Sequence, residues 1–203
     1  MNYLLSYGSL MNRYSREFYS GLVGDVIPVV LKGWSRGWCT QYPDEAASYA
    51  GAYPSPGSLL NTVLVATEID DGIRQREREY RFTELDRNQF DLRSEQQGDF
   101  AAGAARYWIC QTANPGIADQ DTPLPQSYVD TCLLGCLESG GEADALEFVE
   151  QTSGWDGVWV NDRQFSRPIY PRGALVSNSN YQQIDEILEA GGVLQYRQQT
   201  SWA

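Results

Sequence analysis

The chain has 203 residues, 42% of them hydrophobic and 12% aromatic, enough for one domain with a substantial core and short for two. Its 27 acidic against 15 basic residues leave a formal net charge of −12, which argues against nucleic acid or anionic membrane as partners, because phosphate binding needs clustered Lys and Arg. Histidine is absent and Cys39, Cys110, Cys132 and Cys136 form no C-x-x-C pair, so a zinc-type metal site is not expected. No run approaches the ~18 apolar residues of a membrane span. The first residues lack the basic start and long apolar stretch of a signal peptide, and the expected location is cytoplasmic.

In chain order, Asn2 to Ser6 reads as a short apolar strand that breaks at Tyr7-Gly8. Val26 to Cys39, rich in Val, Ile, Leu and Trp, reads as a long strand or hairpin arm. Inside it, Gly33-Trp34-Ser35-Arg36-Gly37 matches the G-x-S-x-G pattern of a nucleophile elbow. That match fails on two counts: a serine nucleophile of this class needs an imidazole, and the elbow needs a strand-to-helix turn. Alternation puts Trp34, Arg36 and Trp38 on one face, with Arg36 set to stack between two indoles as packing. Gln41 to Ser58, with Pro43, Pro54, Pro56, Gly51 and Gly57, reads as a loop.

Thr62 to Ile69 is β-branched and apolar, a central strand. Asp70-Asp71 then caps a helix running through about Glu79, and Tyr80 to Leu85 returns as a strand. Asp86 to Asp99 reads as a polar surface excursion and Ala101 to Gln111 as another strand. From Pro125 to Glu138 apolar residues recur at helical spacing, with Cys132 and Cys136 on the buried face, before Gly140-Gly141 stops the helix. Glu142 to Thr152 and Tyr181 to Glu189 read as two further helices. No repeat or interdomain linker interrupts the chain, and strands precede most helices, so one α+β domain over residues 1–203 is expected.

Two constellations carry chemistry. In Ser6-Tyr7-Gly8-Ser9-Leu10, a strand that breaks at glycine turns consecutive N–H groups towards one point, and Ser9 adds a hydroxyl donor, which suits a carboxylate or carbonyl oxygen. In Arg76-Glu77-Arg78-Glu79-Tyr80, a carboxylate at a helix end is placed to act as general base and then acid. Taken singly, the first also fits a plain turn and the second a solvated helix face. Glu77 and Glu79 compete, because residues two apart on a helix point in different directions.

Taken together, Tyr7-Gly8-Ser9-Leu10 after the first strand and Arg76-Glu77 three residues before Tyr80 resemble the γ-glutamylcyclotransferases, most nearly their ChaC-like and AIG2-like branches. Pro125-Gln126-Ser127-Tyr128-Val129-Asp130 followed by Gly135 is similar to the Ser-Tyr helix late in such chains, and the likeness covers roughly residues 2 to 140. It implies a small mixed β-barrel-like sheet flanked by helices, with the cavity on the barrel. It implies that Tyr7, Gly8, Ser9 and Leu10 grip a γ-glutamyl group, that Tyr80 hydrogen-bonds the substrate, and that Glu77, favoured over Glu79 by its spacing to Tyr80, moves the proton. It further implies release of 5-oxoproline from a small γ-glutamyl peptide or amine, with no metal or organic cofactor.

Residues 154–203 lie outside that common core and are expected to be a C-terminal extension packed on the barrel. There Arg163, Arg167 and Arg172 serve packing, with a second substrate carboxylate as the alternative. Two rival functions remain open: a non-catalytic binding or interaction protein that retains the scaffold and pocket, and a hydrolase or acyltransferase using Ser9, which the lack of histidine disfavours.

Overall fold

The computed structural model describes residues 1–93 and 105–198. The apolar pair Leu4-Leu5, each 1% exposed, sits in the first strand, β1 (Asn2–Ser6), and a run buried on both faces belongs inside a sheet. β1 has the middle place. It pairs antiparallel with β3 (Ala47–Ala66) on one side and parallel with β6 (Arg106–Thr112) on the other. Outward from β3 come β2 (Ile27–Tyr42) and β5 (Phe90–Leu92), and outward from β6 comes β4 (Tyr80–Leu85), giving the order β4-β6-β1-β3-β2-β5.

Unequal strand lengths shape this sheet. β1 stops at Ser6, opposite Val63, while β3 and β6 run on and meet each other at Ala52 and Gln111. Past the end of β1 the two neighbours therefore flank a slot that no strand fills among the described residues and then close it, curling the sheet. The residues leaving β1, Tyr7 to Leu10, enter that slot. The architecture is the α+β, barrel-like sheet flanked by helices that the sequence suggests.

The helices begin at side-chain caps. Asn12 accepts a hydrogen bond from the Ser15 N–H ahead of α1 (Arg13–Ser20), and Asp70 from the Ile73 N–H ahead of α2 (Asp71–Arg76). Ser177 does the same for the last helix, α4 (Asn178–Ala190), each cap satisfying one free donor. Between them, α3 (Gln126–Glu150) is two helices joined at Gly141, whose φ of 74° breaks the helical path. α3 lies over the turn after β1. A Cβ at residue 135 would stand 2.6 Å from the Met11 carbonyl carbon, so only glycine lets the helix approach so closely. β7 (Leu124–Pro125) and β9 (Trp159–Val160) pair parallel and tie the C-terminal segment to the start of α3, while β8 (Thr152–Ser153) pairs with β2.

Several expectations need correcting. Gln41 to Ser58 is mostly strand: β3 starts at Ala47. Pro54 and Pro56 are tolerated because, beyond β1, the strand pairing on the second edge of β3 among the described residues is at Ala52, so no ladder donor is required of them. Gly51 marks close approach rather than a turn, since a Cβ there would lie 2.7 Å from the Cys39 sulfur. The helix after Asp70 ends at Arg76, short of Glu79. Within the polar stretch Asp86 to Asp99, Phe90 is fully buried and β5 pairs with β2; residues 94–99, and 101–104 of the next expected strand, lie outside the described residues.

Trp34, Arg36 and Trp38 are all buried, but the Arg36 guanidinium covers the Phe148 ring, 3.4 Å from its centroid. It donates to Thr152 Oγ1 (2.7 Å), Asn61 Oδ1 (2.9 Å) and the carbonyls of Phe148 (3.0 Å), Tyr7 (3.2 Å) and Asn61 (3.3 Å). Arg36→Met would strand those acceptors, and buried unsatisfied groups cost about 1–3 kcal/mol each. The expected loss is about 2–5 kcal/mol of unfolding free energy. Gly135→Ala, which overpacks a rigid contact, is expected to cost about 1–3 kcal/mol. Urea unfolding of both variants measures these losses, and a midpoint equal to wild type would contradict the packing described.

Candidate active site

The slot beyond β1 holds a cavity of about 40 Å³. Tyr7, Gly8, Ser9 and Leu10 line it from one side, and Glu77 and Tyr80 from the other. A second cavity of about 20 Å³ shares Ser9, Glu77, Tyr80 and Tyr128 in its wall and adds Tyr170 and Arg172. All six residues singled out in the sequence thus face one space, although 67 residues separate Ser9 from Arg76, the neighbour of Glu77. Glu79 does not line either cavity; its carboxylate is turned to Arg78 at 3.9 Å.

The turn owes its shape to the one-turn 3-10 helix Ser9–Met11, closed by Met11 N–H to Gly8 O (2.9 Å) and Asn12 N–H to Ser9 O (3.2 Å). The N–H groups of Gly8, Ser9 and Leu10 precede those bonds and have no acceptor among the described residues, as the first donors of any helical turn lack one. Glycine is required at residue 8, where a Cβ would come 2.8 Å from the Tyr128 hydroxyl.

Glu77 follows the last residue of α2, and its carbonyl accepts from the Tyr80 N–H (3.0 Å) in the turn that starts β4. Its side chain is 13% exposed; Oε1 accepts from Arg76 Nε at 3.1 Å, and Oε2 has no partner among the described residues. Burial pushes the carboxyl above its ordinary range, and Arg76 and Arg172 oppose that rise. Burial also raises Tyr7, Tyr80, Tyr128 and Cys110 well above their usual values, so these walls stay neutral near pH 7. Tyr80 does not present a free hydroxyl: its OH donates to Ala50 O at 2.6 Å.

Ser9 has a constrained proton. Its Oγ accepts from Tyr170 OH at 2.8 Å and from Arg76 Nη2 at 3.2 Å, which fills both acceptor positions of a hydroxyl. The Ser9 O–H is left as a donor. Tyr170 and Arg172 come from the C-terminal segment, as does the ion pair of Arg172 with both oxygens of Glu45 (3.0 and 3.1 Å). Arg163 instead packs, pairing with Asp130 (2.6 Å) and Asp185 (2.9 Å). The sequence reads the Tyr170-Pro171-Arg172 cluster first as packing, with a substrate carboxylate on its arginine as the alternative, and nothing local ties residue 170 to residue 9; the Ser-Tyr helix is the sequence signal for Tyr128.

No family model matches this sequence, and no curated protein matches it significantly. Among solved structures, a gamma-glutamyl cyclotransferase is 11% identical over 91% of this chain and 98% of its own, with a TM-score of 0.48. A gamma-glutamyl cyclotransferase from yeast specific to glutathione is 13% identical over 98% of both chains, at 0.42. YkqA from Bacillus subtilis is 20% identical over 66% of this chain and 47% of its own, at 0.46. At such identities and scores, only the side chains of this protein speak to its chemistry.

Because Tyr170 acts on the cavity through Ser9, their losses should not add. Tyr170→Phe and Ser9→Ala are each expected to cost about 0.5–1.5 kcal/mol, and the double variant little more than the larger single loss. A denaturation cycle giving fully additive costs would show that the hydroxyls are not coupled.

Proposed function

We propose that the protein is a γ-glutamyl cyclotransferase, with Glu77 as general base and acid. One observation carries the reading: Glu77, with one carboxylate oxygen that has no partner among the described residues, and Gly8, Ser9 and Leu10, whose N–H groups have no acceptor among them, line one small, aromatic-walled cavity. Glu77 takes a proton from the α-ammonium of a bound γ-glutamyl compound. The freed amine attacks the γ-carbonyl carbon, the N–C bond of the five-membered ring forms, and the bond from that carbon to the departing nitrogen breaks. The attacking nitrogen gives up two protons and the departing nitrogen gains two, so the products are 5-oxoproline and an amine, amino acid or peptide.

The chemistry asks little of the protein. The nucleophile belongs to the substrate, and folding the glutamyl chain into attack geometry is worth on the order of 7–11 kcal/mol at best. The N–H groups of Gly8 to Leu10 and the Ser9 hydroxyl supply donors for the oxyanion or a carboxylate, where one well-placed donor is worth about 10²–10³-fold. Ser9 is a donor in this reading and not a nucleophile.

A second reading, binding without turnover, draws on the Arg76 contact that already engages one Glu77 oxygen. Incubation with γ-glutamyl dipeptides, glutathione and γ-glutamyl amines separates the two. 5-Oxoproline is expected from wild type, with a fall of about 10²–10⁴-fold in Glu77→Gln; equal yield from that variant, or thermal stabilisation by ligand without any product, would refute the cyclotransferase. The base must be ionised, and burial raises its pKa. Activity should therefore be lost as pH falls through a value above the usual carboxylate range, and Glu77→Gln should abolish that limb of the kcat/KM profile. A limb at ordinary carboxylate pH would assign the base elsewhere.

A further inference from the structure

A groove of about 580 Å³ is lined by Ile169 and Pro171, the two chain neighbours of Tyr170. Tyr170 itself does not line it; its hydroxyl donates to Ser9 Oγ in the catalytic cavity at 2.8 Å. Val160, Phe165, Pro123 and Pro168 add to the apolar wall of the groove. That wall is held in shape from behind. Asp162, fully buried, accepts on Oδ2 from the Ile169 N–H (2.7 Å) and the Ser127 hydroxyl (2.6 Å), and its carbonyl accepts from the Phe165 N–H (3.1 Å). Val160 is fixed in β9, and the Pro123 carbonyl accepts from the Ser48 N–H at 2.9 Å. Prolines carry no N–H, so three of the lining residues give an occupant no backbone donor. A preformed and mostly apolar space of this size, with few polar groups, suits a small ligand.

The polar groups at the groove narrow its chemistry. Glu45 is already engaged, by Arg172 through both oxygens (3.0 and 3.1 Å) and by the Tyr49 hydroxyl (2.7 Å). Arg167 and Asp121, which also line the groove, are both exposed. Unlike Arg163 and Arg172, Arg167 has no ion pair or hydrogen bond among the described residues, and neither has the Asp121 carboxylate. One unengaged cation and one unengaged anion therefore flank an apolar wall. An apolar anion would satisfy Arg167, yet it would meet Asp121 and a chain of net charge −12. An apolar cation would leave Arg167 facing a like charge. A zwitterion with an apolar body opposes both charges at once.

We propose that this groove binds a short apolar peptide with both termini free. The C-terminal carboxylate lies on Arg167, where a guanidinium can hold it through two N–H groups. The N-terminal ammonium lies on Asp121, and the side chains rest on Phe165 and Ile169. The site is separate from the cavity beyond β1 and does not depend on what that cavity turns over.

Calorimetry with L-phenylalanyl-L-leucine and its N-acetyl, C-amide and doubly capped forms tests this. Wild type is expected to bind the free dipeptide about three- to tenfold more tightly than either singly capped form, as charge contacts at an exposed rim allow. Arg167→Gln should erase the discrimination against the amide alone, and Asp121→Asn that against the acetyl form alone. Phe165→Ala should weaken all four ligands, because the apolar wall serves each of them. No binding of the free dipeptide overturns the proposal, as does discrimination that survives both charge variants. Doubly capped peptide binding as tightly as the free one would mark the groove as a seat for an internal segment of a protein, and would overturn it too. None of these peptides carries a γ-glutamyl group. A wild type that binds them as expected but forms no 5-oxoproline from γ-glutamyl compounds would sink the cyclotransferase and leave the groove standing.

Discussion

The Arg36 guanidinium, fully buried and with no carboxylate within 4 Å among the described residues, holds the parts of the molecule in register. Five hydrogen bonds join β2 to the turn after β1, to β3, to β8 and to the end of α3. Burial pushes its pKa down to about 10, so it remains a cation at neutral pH, stabilised by carbonyl dipoles and the face of Phe148 rather than by a counter-ion. One of its acceptors is the Tyr7 carbonyl. In a trans peptide the N–H points away from the C=O, and none of the described peptides is cis. Arg36 pulling on Tyr7 O therefore turns the Gly8 N–H to the opposite side.

The cavity contrasts with this. Six tyrosines line it and the second cavity beside it, yet each hydroxyl already bonds within the protein: Tyr7 with Cys110 O, Tyr42 with Arg76 O, Tyr49 with Glu45, Tyr80 with Ala50 O, Tyr128 with Ala50 N and Tyr170 with Ser9. Their rings keep water out and their polar ends are occupied. The reactive inventory shrinks to Glu77, Arg76, the Ser9 hydroxyl and the free N–H groups, set in surroundings where electrostatic contacts are stronger than in water. The C-terminal segment completes the enclosure through Tyr170 and Arg172.

Local signals in the sequence mark what depends on neighbours along the chain. The Leu4-Leu5 run, the Asp70 cap, the turn at Gly8 and the kink at Gly141 each follow from a few adjacent residues, and so does the crowding of Tyr7 to Leu10 into a turn. Features that depend on distant chain were hidden or misread. Gly51 and the prolines of β3 look like loop residues until the bare strand edge and the Thr112 hydroxyl, 2.0 Å from where a Cβ at residue 51 would stand, are known. Phe90 looks stranded among polar residues until β2 is beside it. Arg36 invited stacking on the nearby indoles, but the ring that reaches it is Phe148, 112 residues along.

Both partners of β1 come later in the chain, Tyr3 pairing with Ala66 and with Tyr107. Contacts of such long span close slowly, because the entropy of a large loop must be lost before any pairing rewards it. On the ribosome, the Leu4-Leu5 edge stays bare until residues 106–112 have left the exit tunnel. That interval, with an apolar strand waiting for its second neighbour, is when a nascent chain of this topology most needs a chaperone to hold it.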